Sequence, residues 1–99
     1  ELGEQRFDIV ISGQCLEHVS RPWETVQAMF RATKPGGKIC IIVPANGPEH
    51  RFPKDFYRFF PDGMTELARF AGFIVESCEM FRGATAFDWD DTRLIARRP

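Results

Sequence analysis

His50, Arg51, Asp55, Tyr57 and Arg58 fall inside one run, ANGPEHRFPKDFYRFF, from Ala45 to Phe60. An imidazole titrates nearest neutrality and can take a proton from a reacting group, so His50 is a candidate general base. A guanidinium grips a carboxylate or phosphate through paired N–H groups, a role open to Arg51 or Arg58. Asp55 and Tyr57 add an acceptor and a hydroxyl, which completes a candidate substrate-contact set. An alternative stands beside it: Arg58 pairs with Asp55 to pin the loop, and Phe52, Phe56, Phe59 and Phe60 pack beneath.

A second group precedes it. Ser12, Gly13 and Gln14 follow a short apolar run, and small residues there permit a tight turn with close backbone approach. Glu17 and His18 resemble an acid/base pair, but neighbours in a helix point in different directions, so separate structural roles are expected. Asp88, Asp90 and Asp91 lie within Met80 to Asp91, expected to be a solvated loop rather than a cation site. No metal site is expected. Cys15, Cys40 and Cys78 are odd in number and widely spaced. They read as reduced, buried core thiols of a cytoplasmic protein, not as a disulfide frame or zinc site.

The elements that must position these residues follow from patterning. Phe7 to Ile11 is a β-branched run expected to form a strand buried on both faces. Its carboxyl end places Ser12-Gly13 where open α/β sheets bind ligands. Gln14 to Val19 can form a turn or two of helix. Ser20-Arg21-Pro22 reads as a helix start with a hydroxyl at or near the N-cap. Trp23, Val26, Met29, Phe30 and Thr33 then recur at spacings of three and four as one buried stripe. Lys34 suits the helix C-terminus, and Pro35-Gly36-Gly37 ends the helix.

Lys38 to Pro44 is the clearest strand, apolar on both faces and hence central. Strand, helix and strand make a right-handed crossover with parallel strands. The Ala45–Phe60 connection leaves that strand's carboxyl end and arches over the same edge as Ser12-Gly13. Loops this long are more often functional than idle. A second helix opens at Pro61-Asp62-Gly63, buries Met64, Leu67, Ala68 and Ala71, and stops at Gly72; Phe60 is a poor cap for it. Phe73 to Cys78 and Thr92 to Arg97 read as two further strands.

Composition narrows the function classes. The 99 residues carry a formal net charge of −1, which leaves no positive excess for a general nucleic-acid footprint. No apolar run approaches the ~20 residues of a membrane span, and no signal peptide is seen. One small domain, residues 1–99, is expected.

The pattern FDIVIS, three residues, then LEHV, followed by Arg31-Ala32-Thr33-Lys34-Pro35-Gly36-Gly37-Lys38-Ile39 and an apolar strand, resembles the second half of a class I S-adenosylmethionine-dependent methyltransferase. That family shows FDxVxxxxxLEHV, a helix, R-x-LKPGG, a strand, then aGF-x-V. Here Thr33 stands where Leu is usual, and Ala71-Gly72-Phe73-Ile74-Val75 closes the pattern. The GPEHRFP stretch and the PDGM after it resemble a bacterial subgroup associated with polysaccharide or small-molecule modification.

The resemblance implies an α/β, Rossmann-like methyltransferase sheet, C-terminal half, mostly parallel. Its antiparallel last strand inserts between its predecessors to give the order first, second, fourth, third, with helices on the faces. It implies S-adenosylmethionine as cofactor, with Ser12, Gly13 and Gln14 against its methionine end. It further implies methyl transfer by direct displacement to a small-molecule or saccharide-type acceptor, for which His50 is the candidate base read from its own chemistry.

The glycine-rich loop and the acidic ribose-binding residue that precede this half in the family have no counterpart in these 99 residues. The 7–12 edge is therefore expected to be exposed, apolar and prone to pairing, giving a homodimer or swapped assembly. The alternative is a non-catalytic fragment or oligomerisation module with a degenerate methyltransferase fold.

Overall fold

A computed structural model describes residues 3–83 and 89–99. β1 (Phe7–Gly13) leads through a single 3-10 turn (Leu16–His18) into α1 (Pro22–Ala32) and β2 (Thr33–Pro44). After the long loop come α2 (Pro61–Ala71), β3 (Ile74–Phe81) and β4 (Asp91–Arg97). The sheet order is β1-β2-β4-β3. β1 and β2 are parallel, and β4 runs antiparallel to both β2 and β3. The expected insertion of the last strand is therefore observed.

Side-chain alternation decides which face is core. Ile39, Ile41 and Val43 of β2 pair with Ala96, Leu94 and Thr92 of β4, and all six are buried. Val26 and Met29 of α1, with Met64 and Ala68 of α2, pack on that face. Burying such side chains contributes about 1.5–3 kcal/mol each, which is what holds the helices down.

The reverse face corrects two expectations. β1 and β2 were each expected to be buried on both faces. Among the described residues both helices lie on one face, so Lys38 is exposed and Cys40 and Ile42 are only half-buried. β1 is an end strand, with Ile9 66% and Ile11 71% exposed. The exposed apolar 7–12 edge is present as expected.

Local chemistry shifts several boundaries. α1 takes Arg21 as its N-cap without a side-chain cap bond. Ser20, the expected cap, instead offers its carbonyl to the Tyr57 hydroxyl at 2.8 Å. α1 ends at Ala32, before Pro35. The Thr33 hydroxyl donates to the Met29 carbonyl at 2.7 Å, and Arg98 Nη1 donates to the carbonyls of Phe30 and Thr33 at 2.8 and 2.9 Å. These donors satisfy carbonyls a helix end leaves orphaned.

Trp23 leaves the predicted stripe. It is 41% exposed because it turns toward Leu67 and Phe70 on the flank of α2. α2 stops as expected at Gly72, whose φ of +114° closes a left-handed cap with its N–H on the Ala68 carbonyl at 3.2 Å.

The cysteines are not core residues. Cys15 is exposed on the turn after β1, and Cys40 and Cys78 are half-buried; all three are free thiols. Cys40 points to the uncovered face, and Cys15 falls where the chain leaves the sheet. Desolvation raises the Cys78 thiol pKa, while its Sγ contacts the Pro61 carbonyl oxygen at 3.4 Å.

Candidate functional site

The carboxyl ends of parallel β1 and β2 open on the same side, and each releases its chain into a segment rich in functional groups. Ser12 and Gly13 pair with Ile41 and Ile42 at the end of the ladder. Gln14 then turns the chain at φ +51°, a left-handed conformation unusual for a residue with a side chain. Its N–H donates to the Ile42 carbonyl at 2.8 Å, and its side-chain amide donates to Asp91 at 3.0 Å. Nothing lies within 4 Å of where a Gly13 Cβ would stand, so the turn faces open space.

Leu16, fully buried, anchors the 3-10 turn and carries Glu17 and His18 with it. These two were expected to part; both line the same cavity. Glu17 is only 5% exposed. Its backbone carbonyl accepts the N–H groups of Phe56 and Tyr57 at 2.8 and 3.3 Å, tying the turn to the long loop. Its Oε1 has no hydrogen-bond partner among the described residues, and its Oε2 stands 3.6 Å from His18 Nε2.

His18 Nδ1 lies 2.7 Å from the Lys54 carbonyl oxygen. A carbonyl only accepts, so Nδ1 carries the proton. In the neutral ring Nε2 is then the free basic nitrogen.

The loop is held at both ends. Asn46 and Asp90 exchange two bonds: the Asn46 amide donates to Asp90 Oδ2 at 2.7 Å, and the Asp90 N–H donates to Asn46 Oδ1 at 2.8 Å. Asp90 also accepts the Gly83 N–H at 2.8 Å and is 8% exposed. This corrects the solvated acidic loop. Asp90 is a buried latch, Asp91 starts β4, and Asp88 lies outside the described residues. At the far end the Phe59 N–H donates to the Pro44 carbonyl at 2.9 Å, and the Thr92 hydroxyl donates to the Phe59 carbonyl at 2.7 Å.

Arg58 forms the loop's internal clasp. Its two terminal nitrogens reach the two Asp55 oxygens at 2.6 and 2.7 Å, and also the carbonyls of Tyr57 and Pro48 at 2.8 and 2.6 Å. Asp55 further accepts the His50 N–H at 2.6 Å. The Arg58 guanidinium holds the Asp55 carboxyl well below the usual carboxylate range, assisted by that N–H against the opposing effect of burial. Asp55 in turn raises the Arg58 pKa. Both side chains are thus engaged with the loop itself, the geometry of the pinning alternative. Tyr57 spends its hydroxyl on Ser20, and Arg51 is exposed.

These restraints leave a cavity of about 320 Å³ lined by Gln14, Glu17, His18, His50 and Trp89. The His50 ring centroid stands 5.7 Å from that of His18 and 4.6 Å from Phe52. Trp89 packs over Gly47, which has a φ of +113° and where an added Cβ would come within 2.5 Å of the indole. Asp55, Tyr57 and Arg58 line a neighbouring hollow of about 250 Å³ with Gly47, Glu49 and Phe56.

Sequence reasoning passed over Glu17, His18 and Trp89 as cavity residues. The adjacency of His18 to Glu17 was visible, but the Lys54 carbonyl that fixes its ring was not. No group of three or more His, Cys, Asp or Glu suited to a metal ion occurs among the described residues.

The chain is similar to known proteins in part of its sequence and in its fold. Residues 1–41 match a family model described as a methyltransferase domain. An uncharacterized methyltransferase of Mycobacterium bovis is 42% identical over 40 residues, 40% of this chain and 16% of that relative. A putative methyltransferase from Bacillus halodurans superposes with a TM-score of 0.80 at 15% identity, over 98% of this chain and 66% of its own. The 1,6-didemethyltoxoflavin-N1-methyltransferase of Burkholderia thailandensis, solved with 1,6-didemethyltoxoflavin and S-adenosylhomocysteine bound, gives 0.79 at 22% identity, over 97% and 45%.

At such identities the superpositions establish the fold. The matched stretch spans about a sixth of the curated relative's length. The sequence match makes residues 1–41 similar to a methyltransferase domain, and the superpositions show that the chain shares the fold of these methyltransferases.

Proposed function

We propose that the protein transfers a methyl group from S-adenosylmethionine to a small-molecule acceptor. The observation that carries this reading is the convergence of the Gln14 turn, His18 and His50 on one cavity at the carboxyl edge of β1. A space of about 320 Å³ suits a small molecule or one sugar unit. The Burkholderia relative, which binds a small molecule of this kind, supports the smaller acceptor.

Ser12, Gly13 and Gln14 are the residues of this chain that would hold the cofactor's methionine end. The open space beside Gly13 and the left-handed turn at Gln14 fit a molecule lying across the strand end. The cofactor supplies an electrophilic methyl on a sulfonium, and the protein must align a nucleophile with it. His18, with Nε2 free, is the better-placed base; His50 faces it across the cavity and serves as the second candidate. Asp55 and Arg58 position the loop, leaving Arg51 and Tyr57 as the residues of the predicted contact set at its rim. The three free thiols support a cytoplasmic location.

Calorimetric titration with S-adenosylhomocysteine tests the reading. Saturable binding, weakened by Gln14→Pro, is expected. No binding by the intact protein would overturn it. A second reading, a non-catalytic module that pairs through β1, is favoured by the exposed Ile9 and Ile11. Concentration-dependent dimerisation abolished by Ile9→Lys, without cofactor binding, would select it.

A further inference from the structure

Among the described residues three buried side-chain atoms lack a hydrogen-bond partner, Arg58 Nε, Arg93 Nε and Glu17 Oε1, and of these the Glu17 carboxylate is the one that lines the cavity. It is 95% buried and leaves Oε1 without a hydrogen-bond partner among the described residues. A buried acceptor left unsatisfied costs about 1–3 kcal/mol, and more when charged. The fold does not have to accept that cost by accident, because Leu16 and the Phe56 and Tyr57 N–H groups fix the backbone of this turn without the side chain.

The terminal nitrogens of Arg58 are already committed within the loop. Arg58 is engaged by both oxygens of Asp55 and by two carbonyls. His18 holds the Lys54 carbonyl through Nδ1, and its Nε2 stands 3.6 Å from Oε2, beyond hydrogen-bond distance, so it does not serve Oε1.

We propose that Glu17 is the anionic anchor of a subsite for a positively charged amine carried by the acceptor, which deepens and rests on the methyl-transfer reading. A carboxylate in so dry a place selects a donor with a full positive charge over a neutral hydroxyl, and it repels an anion. Trp89 and His50 form flat apolar walls on the same cavity, so an amine joined to a planar or aliphatic body fits. The group Glu17 holds is recognised whichever atom of the acceptor receives the methyl.

Benzylamine, benzyl alcohol and benzoate make a matched set of cationic, neutral and anionic probes. Their affinities are read by NMR titration on the intact protein, on Glu17→Gln and on Glu17→Asp, with thermal melts confirming that each variant is folded. Benzylamine is expected to bind the wild type most tightly. It should lose about tenfold on Glu17→Gln, keep part of its preference on Glu17→Asp, and leave benzyl alcohol within about twofold. Equal binding of the three probes, or a benzylamine affinity unchanged by Glu17→Gln in the folded variant, overturns the proposal.

S-adenosylhomocysteine titrated into the same samples separates the two levels. Cofactor binding without amine preference removes this subsite and leaves methyl transfer standing. Glu17-dependent amine preference without cofactor binding keeps the subsite and removes methyl transfer.

Discussion

Asp55 and Arg58 meet through two parallel contacts of 2.6 and 2.7 Å, and the same carboxylate accepts the His50 N–H at 2.6 Å. One pair therefore sets the backbone position of a cavity residue five positions before it. Asp55 is 2% exposed at its side chain and Arg58 21%, so the pair is shielded from the screening that weakens surface bridges. Removing either partner alone leaves a charge behind. Arg58→Ala is expected to cost about 3 kcal/mol and to lower the melting temperature accordingly. Arg58→Lys should recover only part, because an ammonium cannot make the double contact. Thermal melts of both variants check this.

The same pair sets an acid limit. The Asp55 pKa is lowered on folding from its ordinary value of 3.8, so the folded state holds fewer protons than the unfolded chain as pH falls through that value. Its stabilisation is full above 3.8 and is withdrawn progressively below it. Between pH 7 and about 5 the pair should contribute a constant amount. Asp55→Asn is expected to be less stable at neutral pH and to show a flatter acid limb, measured by denaturant melts across pH 2.5 to 7.

Gly47→Ala is expected to disturb the cavity wall from behind. The residue sits at φ +113°, and its new methyl would meet the Trp89 ring at 2.5 Å. Backbone strain adds about 1–3 kcal/mol to that clash. Trp89 emission should shift to longer wavelength as the ring is displaced, with Trp89→Phe identifying its share of the signal. An unchanged spectrum would show the loop yielding in place of the indole.

His18 and His50 predict different kinetics under the proposed methyl transfer. His18→Ala removes the nitrogen whose tautomer the Lys54 carbonyl fixes, and should lower kcat by about 10²- to 10⁴-fold with little change in cofactor affinity. His50→Ala should have the smaller effect on kcat and mainly raise the acceptor KM. Reversal of that order would give the base role to His50.

Arg98 closes α1 from the other end of the chain. Its guanidinium donates to the Phe30 and Thr33 carbonyls and stacks 4.3 Å from the Phe30 ring. Arg98→Ala should cost about 1–3 kcal/mol, as carbonyl bonds, helix-dipole contact and aromatic contact are lost together. Denaturant unfolding of the variant measures it.

The strand order, both helices and the carboxyl-edge placement of the site were legible because they follow from periodicity and the family pattern. Ile39, Ile41 and Val43 alternate along the chain, and their partners on β4 alternate in step. Less was legible wherever a distant residue decided the matter. Asp90 reads as one of three solvated acids until Asn46, 44 residues away, supplies one donor to its carboxylate and one acceptor to its N–H. Ser20 reads as a helix cap, yet α1 starts at Pro22 and puts Arg21 at the cap position. Cys15 reads as core by its neighbours, yet it falls where the strand has already left the sheet. The role of Glu17 depends on what does not reach it, and a sequence carries no sign of that.

The position of β4 between β2 and β3 bears on how the chain acquires this structure. Among the described residues β3 pairs with β4 alone, so on emerging from a ribosome it waits for residues 91–97 before it can join the sheet. Those residues close two ladders at once, one reaching back to Lys38 and the other to Ile74. Deferred, long-range pairing of this kind slows folding and exposes strands meanwhile. A nascent chain halted before Asp91 should therefore resist protease around α1 and β1–β2 while β3 remains cleavable, and protection of β3 should appear in one step with β4.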